Sequence, residues 1–160
     1  MRRVFAIVIA SVMLCASVCA RPPVAQIFDT FGDICCDDEK ARLDNFAMAL
    51  DHRPGAIGYI VFYGGRRYNT PWCSSRRETL AYRGQSAARA ARLKPYLVNT
   101  RLFDSNRLVV IDGGYREAWT AELWIVPEGA NPPTPTPTLK PQDIRFRKGR
   151  VPRGHYVCGV

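Results

Sequence analysis

Residues 57–63 read IGYIVFY, fenced by Pro54-Gly55 before and Gly64-Gly65 after. A short apolar run rich in β-branched and aromatic side chains suits a central strand. Such a strand needs neighbours, and the sequence supplies them. Residues 27–34, IFDTFGDI, alternate well enough for a first strand, with Gly32 weakening or bulging it. Residues 108–111 read as a third strand, with the chain turning at Gly113-Gly114. In residues 119–126, WTAELWIV, Trp119, Ala121, Leu123 and Ile125 alternate against Thr120, Glu122 and Trp124, the pattern of a fourth strand.

Two helical patterns separate these strands. Leu43, Phe46, Ala47 and Leu50 recur at the spacing of one buried helix face, while Lys40, Arg42 and Asp44 fall elsewhere. Asp37 and Asp38 supply cap chemistry and favourable charge at its start, and Pro54-Gly55 stops it near His52. The second helix is expected to begin between Thr79 and Gln85 and to run to about Val98, kinked or ended at Pro95, which cannot bond the Ala91 carbonyl. Ala90, Leu93 and Leu97 form its apolar face; Arg89 and Arg92 are assigned to a neighbouring, exposed face. Residues 66–79, RRYNTPWCSSRRET, show no sustained period and read as a surface loop. The order strand, helix, strand, helix, strand, strand gives an α+β sandwich with two helices on one face of a sheet. Leu43, Phe46, Leu93 and Ile125 are expected to share its core.

At 160 residues and 47% hydrophobic composition the chain can bury one modest core. Arg2 and Arg3, an apolar run over residues 4–18, and small residues before Arg21 read as an export signal over residues 1–20. The run is shorter than the roughly 20 apolar residues of a membrane-spanning helix, and none of that length follows. Cys15 and Cys19 follow Leu14 and Val18 rather than the small residue lipoprotein processing requires, so no lipid anchor is expected. Loss of Arg2 and Arg3 with the signal lowers the formal charge from +9 to +7. That excess favours anionic envelope partners such as cell-wall carboxylates and phosphates or lipopolysaccharide. Export and the absence of an RNA-binding or helix-turn-helix signature argue against nucleic acid.

Cys35, Cys36, Cys73 and Cys158 remain after cleavage, in a compartment where disulfides persist. Sequential Cys35 and Cys36 suit disulfide geometry poorly as a pair, so each is expected to reach Cys73 or Cys158, in either order. Zinc, with His52 and His155 as further ligands, is the weaker alternative because no paired CxxC or HxxxH spacing occurs. There is no nucleophile elbow, phosphate loop or metal-binding helix motif, so neither enzymatic activity nor a cofactor is expected.

Residues 86–117 carry a further pattern. Ser86, Arg89, Ala90, Leu93, Tyr96, Leu97, Arg107, Leu108, Gly114, Tyr115 and Glu117 fall into register with the signature LSxxRAxxVxxYLxxxGIxxxRIxxxGYGE. In this the chain, over about residues 26–127, resembles the OmpA-like, peptidoglycan-associating domains of bacterial envelope proteins. The resemblance implies a β-α-β-α-β-β two-layer sandwich with helices on one face of a mixed sheet, in a periplasmic or secreted protein. It also implies a site in which Arg89 holds a carboxylate of the peptidoglycan stem peptide, near Tyr63, Gly65 and Arg66. The family's acid, which meets the ligand's ammonium, has Gly65 in its place, and Glu78 is the candidate replacement by position. The family's basic pair before the last strand reads Trp119 and Thr120. Binding weakened roughly tenfold to a hundredfold is therefore expected, with Gly65→Asp recovering part of it.

The organisation expected is an export signal (1–20), an OmpA-like domain (21–127), a Pro/Thr-rich linker (128–138) and a basic tail (139–160). The stretch PPTPTPT at 132–138 should be extended, roughly 20 Å long. The tail has three open fates: disordered, bound to an anionic surface, or stitched back through Cys158. Two functions follow. One is an exported envelope binding or scaffold module with weakened or altered peptidoglycan binding. The other is a structural or protein-interaction module, docking on other envelope components, with no such ligand.

Overall fold

The computed structural model describes residues 22–69 and 78–152. The signal-like segment, Cys73, Cys158 and His155 lie outside them. The fold is α+β, with a four-stranded mixed sheet of order β1-β6-β2-β5. Its strands are β1 (Gln26–Phe31), β2 (Ile57–Gly64), β5 (Leu108–Tyr115) and β6 (Thr120–Val126). β6 lies antiparallel between β1 and β2, and β5 lies parallel to β2. The apolar run thus occupies an interior position, as its composition requires.

Helix α1 (Cys36–Asp51) buries Leu43, Phe46, Ala47 and Leu50. These join Leu93, Leu97 and Ile125 in one core cluster. The helix is capped differently from expectation. Its N-cap is Cys35, with no side-chain hydrogen bond, and Asp37, Asp38 and Glu39 lie inside the first turn. The acids therefore act through charge against the helix dipole rather than as caps.

The second helical region is broken into α2 (Gln85–Ala90), α3 (Leu93–Pro95) and a π-helical turn (Tyr96–Thr100). Pro95 has no N–H to return to Ala91, and the chain continues by widening: the Arg101 N–H donates to the Tyr96 carbonyl at 3.3 Å. The expected surface loop at 66–79 instead holds strands β3 (Arg67–Asn69) and β4 (Glu78–Leu80), an antiparallel pair. β5 does not turn at Gly113-Gly114 but runs through them to Tyr115. The absent Gly113 side chain leaves room for the Tyr63 ring, whose Cδ1 would lie 2.7 Å from a Cβ there.

Both helices contact the same face of β2. Phe46 and Leu50 pack over Gly58, and Ser86 lies over Gly64. The opposite face carries Tyr63 on β2 and Glu122 and Trp124 on β6, and the Pro/Thr-rich segment lies against its Tyr63 end. The Thr136 N–H donates to the Tyr63 hydroxyl at 3.2 Å. Thr138 and Leu139 N–H groups donate to the Tyr115 carbonyl at 2.9 and 3.0 Å. Beyond a 3₁₀ turn at Pro141–Asp143, Ile144 is buried, and the Arg147 N–H reaches the Ala81 carbonyl at 2.7 Å. Residues 132–147 form a strap along the domain. A chain without helical propensity lies against a sheet face in this way because proline fixes its extended shape at little entropic cost.

Candidate functional site

Helix α2 is only six residues long, and Gly84 supplies the left-handed turn into it at φ 80°. The Gln85 side chain helps close that turn by accepting the Tyr82 N–H at 2.7 Å. Gln85, Ser86, Arg89 and Ala90 are all buried. Arg89 is therefore not on an exposed face: it is 1% exposed, deeper than most of the apolar core. The reason is geometric. Ser86, Arg89 and Leu93 are separated by three and four residues, so they form one stripe pointing at the sheet.

A buried guanidinium must be surrounded by acceptors. Asp33, in the short loop between β1 and α1, forms an ion pair with Arg89 Nη1. Glu39 Oε2, from the first turn of α1, lies 3.4 Å from Nη2, as does the Ile34 carbonyl. Arg92 closes the cluster with a two-pronged grip on Glu39, Nε to Oε1 at 2.8 Å and Nη2 to Oε2 at 2.7 Å. Beneath the guanidinium lies Trp119, its ring centroid 3.9 Å from Arg89 Cζ, at a position where the resemblance implies a base. Asp33, Glu39, Arg89, Arg92 and Trp119 thus tie together the β1–α1 loop, α1, α2 and the start of β6.

Glu39 is 2% exposed, and burial pushes its carboxyl above the ordinary value of 4.5, outweighing the hydrogen bonds and charge of Arg92. An acid with a raised folded-state pKa holds its proton more tightly folded than unfolded. Its favourable contribution is complete below 4.5 and is lost as pH rises through the raised value. Glu39→Gln should remove that downward slope from a plot of unfolding free energy against pH. An unchanged slope would assign the titration elsewhere.

The other residues implied by the resemblance are dispersed. Tyr63 is fully buried on the opposite sheet face, under the strap. Arg116 lies 3.5 Å over its ring and bonds Glu122 at 2.8 Å. Gly65 is sewn between backbones: the Arg66 N–H donates to the Glu117 carbonyl at 3.2 Å, and the Arg116 N–H to that of Gly64 at 2.9 Å. A Cβ on Gly65 would lie 2.8 Å from the Ala118 carbonyl carbon and 2.9 Å from the Arg67 carbonyl oxygen, and closer still to the Trp119 nitrogen. Its φ is not positive, so space rather than backbone conformation dictates glycine here. Gly65→Asp should consequently destabilise the fold by about 1–3 kcal/mol through overpacking. Denaturant unfolding checks this; an unchanged midpoint would mean that the backbone can yield.

Arg66 is exposed and pairs with Glu117 at 3.0 Å, while Arg67 faces Glu78 at 3.8 Å. Between these pairs and Asp33 and Trp119 opens a cleft of about 210 Å³. Such a cleft, acidic and basic by turns, matches a small zwitterion in charge. Glu78, the candidate replacement acid, does line it.

Comparison with known proteins finds no match: no family model, no curated protein and no solved structure. Among the described residues no group of three or more His, Cys, Asp or Glu is placed to hold a metal ion. No helix among them is long and apolar enough to cross a membrane. Cys35 and Cys36 are both disulfide-bonded.

Two residues of the buried cluster escape a reading by composition. Glu39 lies four residues before Leu43, and Arg89 four before Leu93, so each extends an apolar stripe by one turn. An acid and a base at matching ends of two core-facing stripes is the signal that could have found them.

Proposed function

We propose that this chain is an exported, non-catalytic module of the bacterial envelope with an OmpA-like fold, serving as a structural or protein-interaction element rather than gripping peptidoglycan. The order of elements in the four-stranded sheet, β-α-β-α-β-β, supports the fold assignment. The burial of Arg89 carries the functional reading. A guanidinium 1% exposed and held by Asp33 and Glu39 already has its carboxylates. A stem peptide would have to displace them and desolvate itself to reach the site. Removal of residues 1–20 and disulfides joining Cys35 and Cys36 to Cys73 and Cys158 belong to the same proposal.

One observation favours the weakened-binding alternative. The cleft beside the cluster sets Arg66 and Arg67 near Asp33 and Glu78, so a stem-peptide carboxylate and ammonium could be met there without Arg89. Pull-down on purified sacculi separates the two readings. The expected result is no specific retention of the exported protein, whose intact mass should begin at Arg21 with two disulfides. Retention that is lost in Arg66→Ala and Arg67→Ala would transfer the function to the cleft.

A further inference from the structure

The basic C-terminal segment is built into the fold as a surface. In residues 144–147 the side chains alternate: Ile144 is buried and Phe146 half-buried, whereas Arg145 and Arg147 are exposed. The extended chain is fixed against the start of the second helical region by the Arg147–Ala81 hydrogen bond and a bridge between Tyr82 and Arg147. Arg83 lies 4.8 Å over the Phe146 ring, and Arg147 lies 5.1 Å over that of Tyr82. Lys140, Lys148 and Arg150 are exposed nearby in the chain. None of Arg83, Lys140, Arg145, Arg147, Lys148 and Arg150 has an acidic partner among the described residues. The one acid of the segment, Asp143, accepts the Lys140 backbone N–H at 3.0 Å within its own turn.

We propose that this face docks on an anionic lipid surface, its cations meeting the phosphates of the headgroups. The inference rests on the reading of the chain as an envelope docking module, and it supplies the partner. A plane of phosphates satisfies several unpaired cations at once without demanding a shaped pocket. Guanidinium groups, weakly hydrated and forked, suit phosphate well. Single-stranded nucleic acid fits less well. It needs open aromatic faces for stacking, and a guanidinium lies over the rings of both Phe146 and Tyr82.

The test is co-sedimentation with vesicles of phosphatidylglycerol in phosphatidylcholine, against phosphatidylcholine alone, at low and high salt. Binding should require the anionic lipid and fall with salt. Each cation near such a surface contributes about fivefold in partitioning, so Arg145→Gln with Lys148→Gln should weaken binding roughly tenfold to thirtyfold. Arg53→Gln with Arg101→Gln removes the same charge elsewhere and should change it by less than about threefold, with circular dichroism verifying that both variants fold. Equal losses in the two double variants would reduce the effect to net charge and overturn the proposal. So would absence of binding to anionic vesicles, or tighter binding to a single-stranded oligonucleotide. Because sacculus retention is measured without lipid, failure of vesicle binding leaves the interaction-module function standing, and sacculus binding would sink that function independently.

Discussion

Arg89→Ala should cost about 3–5 kcal/mol of stability, the range for removing one partner of a buried ion pair. The loss has three physical sources. Asp33, its side chain only 14% exposed, loses the guanidinium it pairs with. Glu39 keeps Arg92 but loses the second guanidinium beside it. The Trp119 face, 3.9 Å from the guanidinium carbon, loses its covering cation and gains a void. Arg89→Met separates these terms, because it keeps volume and discards charge. If charge dominates, Arg89→Met remains strongly destabilised, and adding Asp33→Asn recovers part of the loss, a coupling that a double-mutant cycle reads directly. A ligand arginine would behave oppositely, with binding lost and the denaturant midpoint nearly unmoved. That outcome would remove the basis for placing Arg89 in the frame of the fold.

The elements of the main sheet were legible because each is dictated locally. The 57–63 run, the period-two pattern of 119–126 and the face of Leu43, Phe46, Ala47 and Leu50 need only apolar spacing to be found, and all three lie where that spacing puts them. What failed was decided by tertiary context. Arginine is ordinarily a surface residue, so residue type alone places Arg89 in solvent although its spacing from Leu93 puts it on the core stripe. Gly113-Gly114 looks like a turn, yet Gly113 sits inside β5, with the Tyr63 ring filling the space a side chain would need. Residues 67–69 and 78–80 show no sustained period because strands three residues long are too short to display one. The Pro/Thr segment reads as a spacer by composition. Nothing local reveals that Tyr63, Tyr115 and Ala81 supply the groups that hold this strap down.

That strap gives the second large effect. Tyr63 is fully buried, its ring between Arg116 at 3.5 Å and the backbone of Gly113, and its hydroxyl donates to Glu122 at 3.3 Å while accepting the Thr136 N–H at 3.2 Å. Tyr63→Ala removes an aromatic side chain from a packed interior and should cost about 3–5 kcal/mol. Tyr63→Phe removes only the hydroxyl, leaving Thr136 without its acceptor, and should cost about 1–2 kcal/mol. The two variants also differ in what they release. With the ring gone, Arg116 loses the surface it lies on, and the hold of its Nη2 on the Thr136 hydroxyl at 2.7 Å no longer anchors the strap to the sheet. Limited proteolysis should then cut within residues 128–139 faster in Tyr63→Ala than in wild type, with Tyr63→Phe between them, under conditions where all three remain folded. Uniform cleavage would mean that the strap is held by Tyr115 and Ala81 alone. If Tyr63→Ala left stability unchanged, the side chain would be free to serve a ligand, and the sheet face beneath the strap would have to be reconsidered as a binding surface.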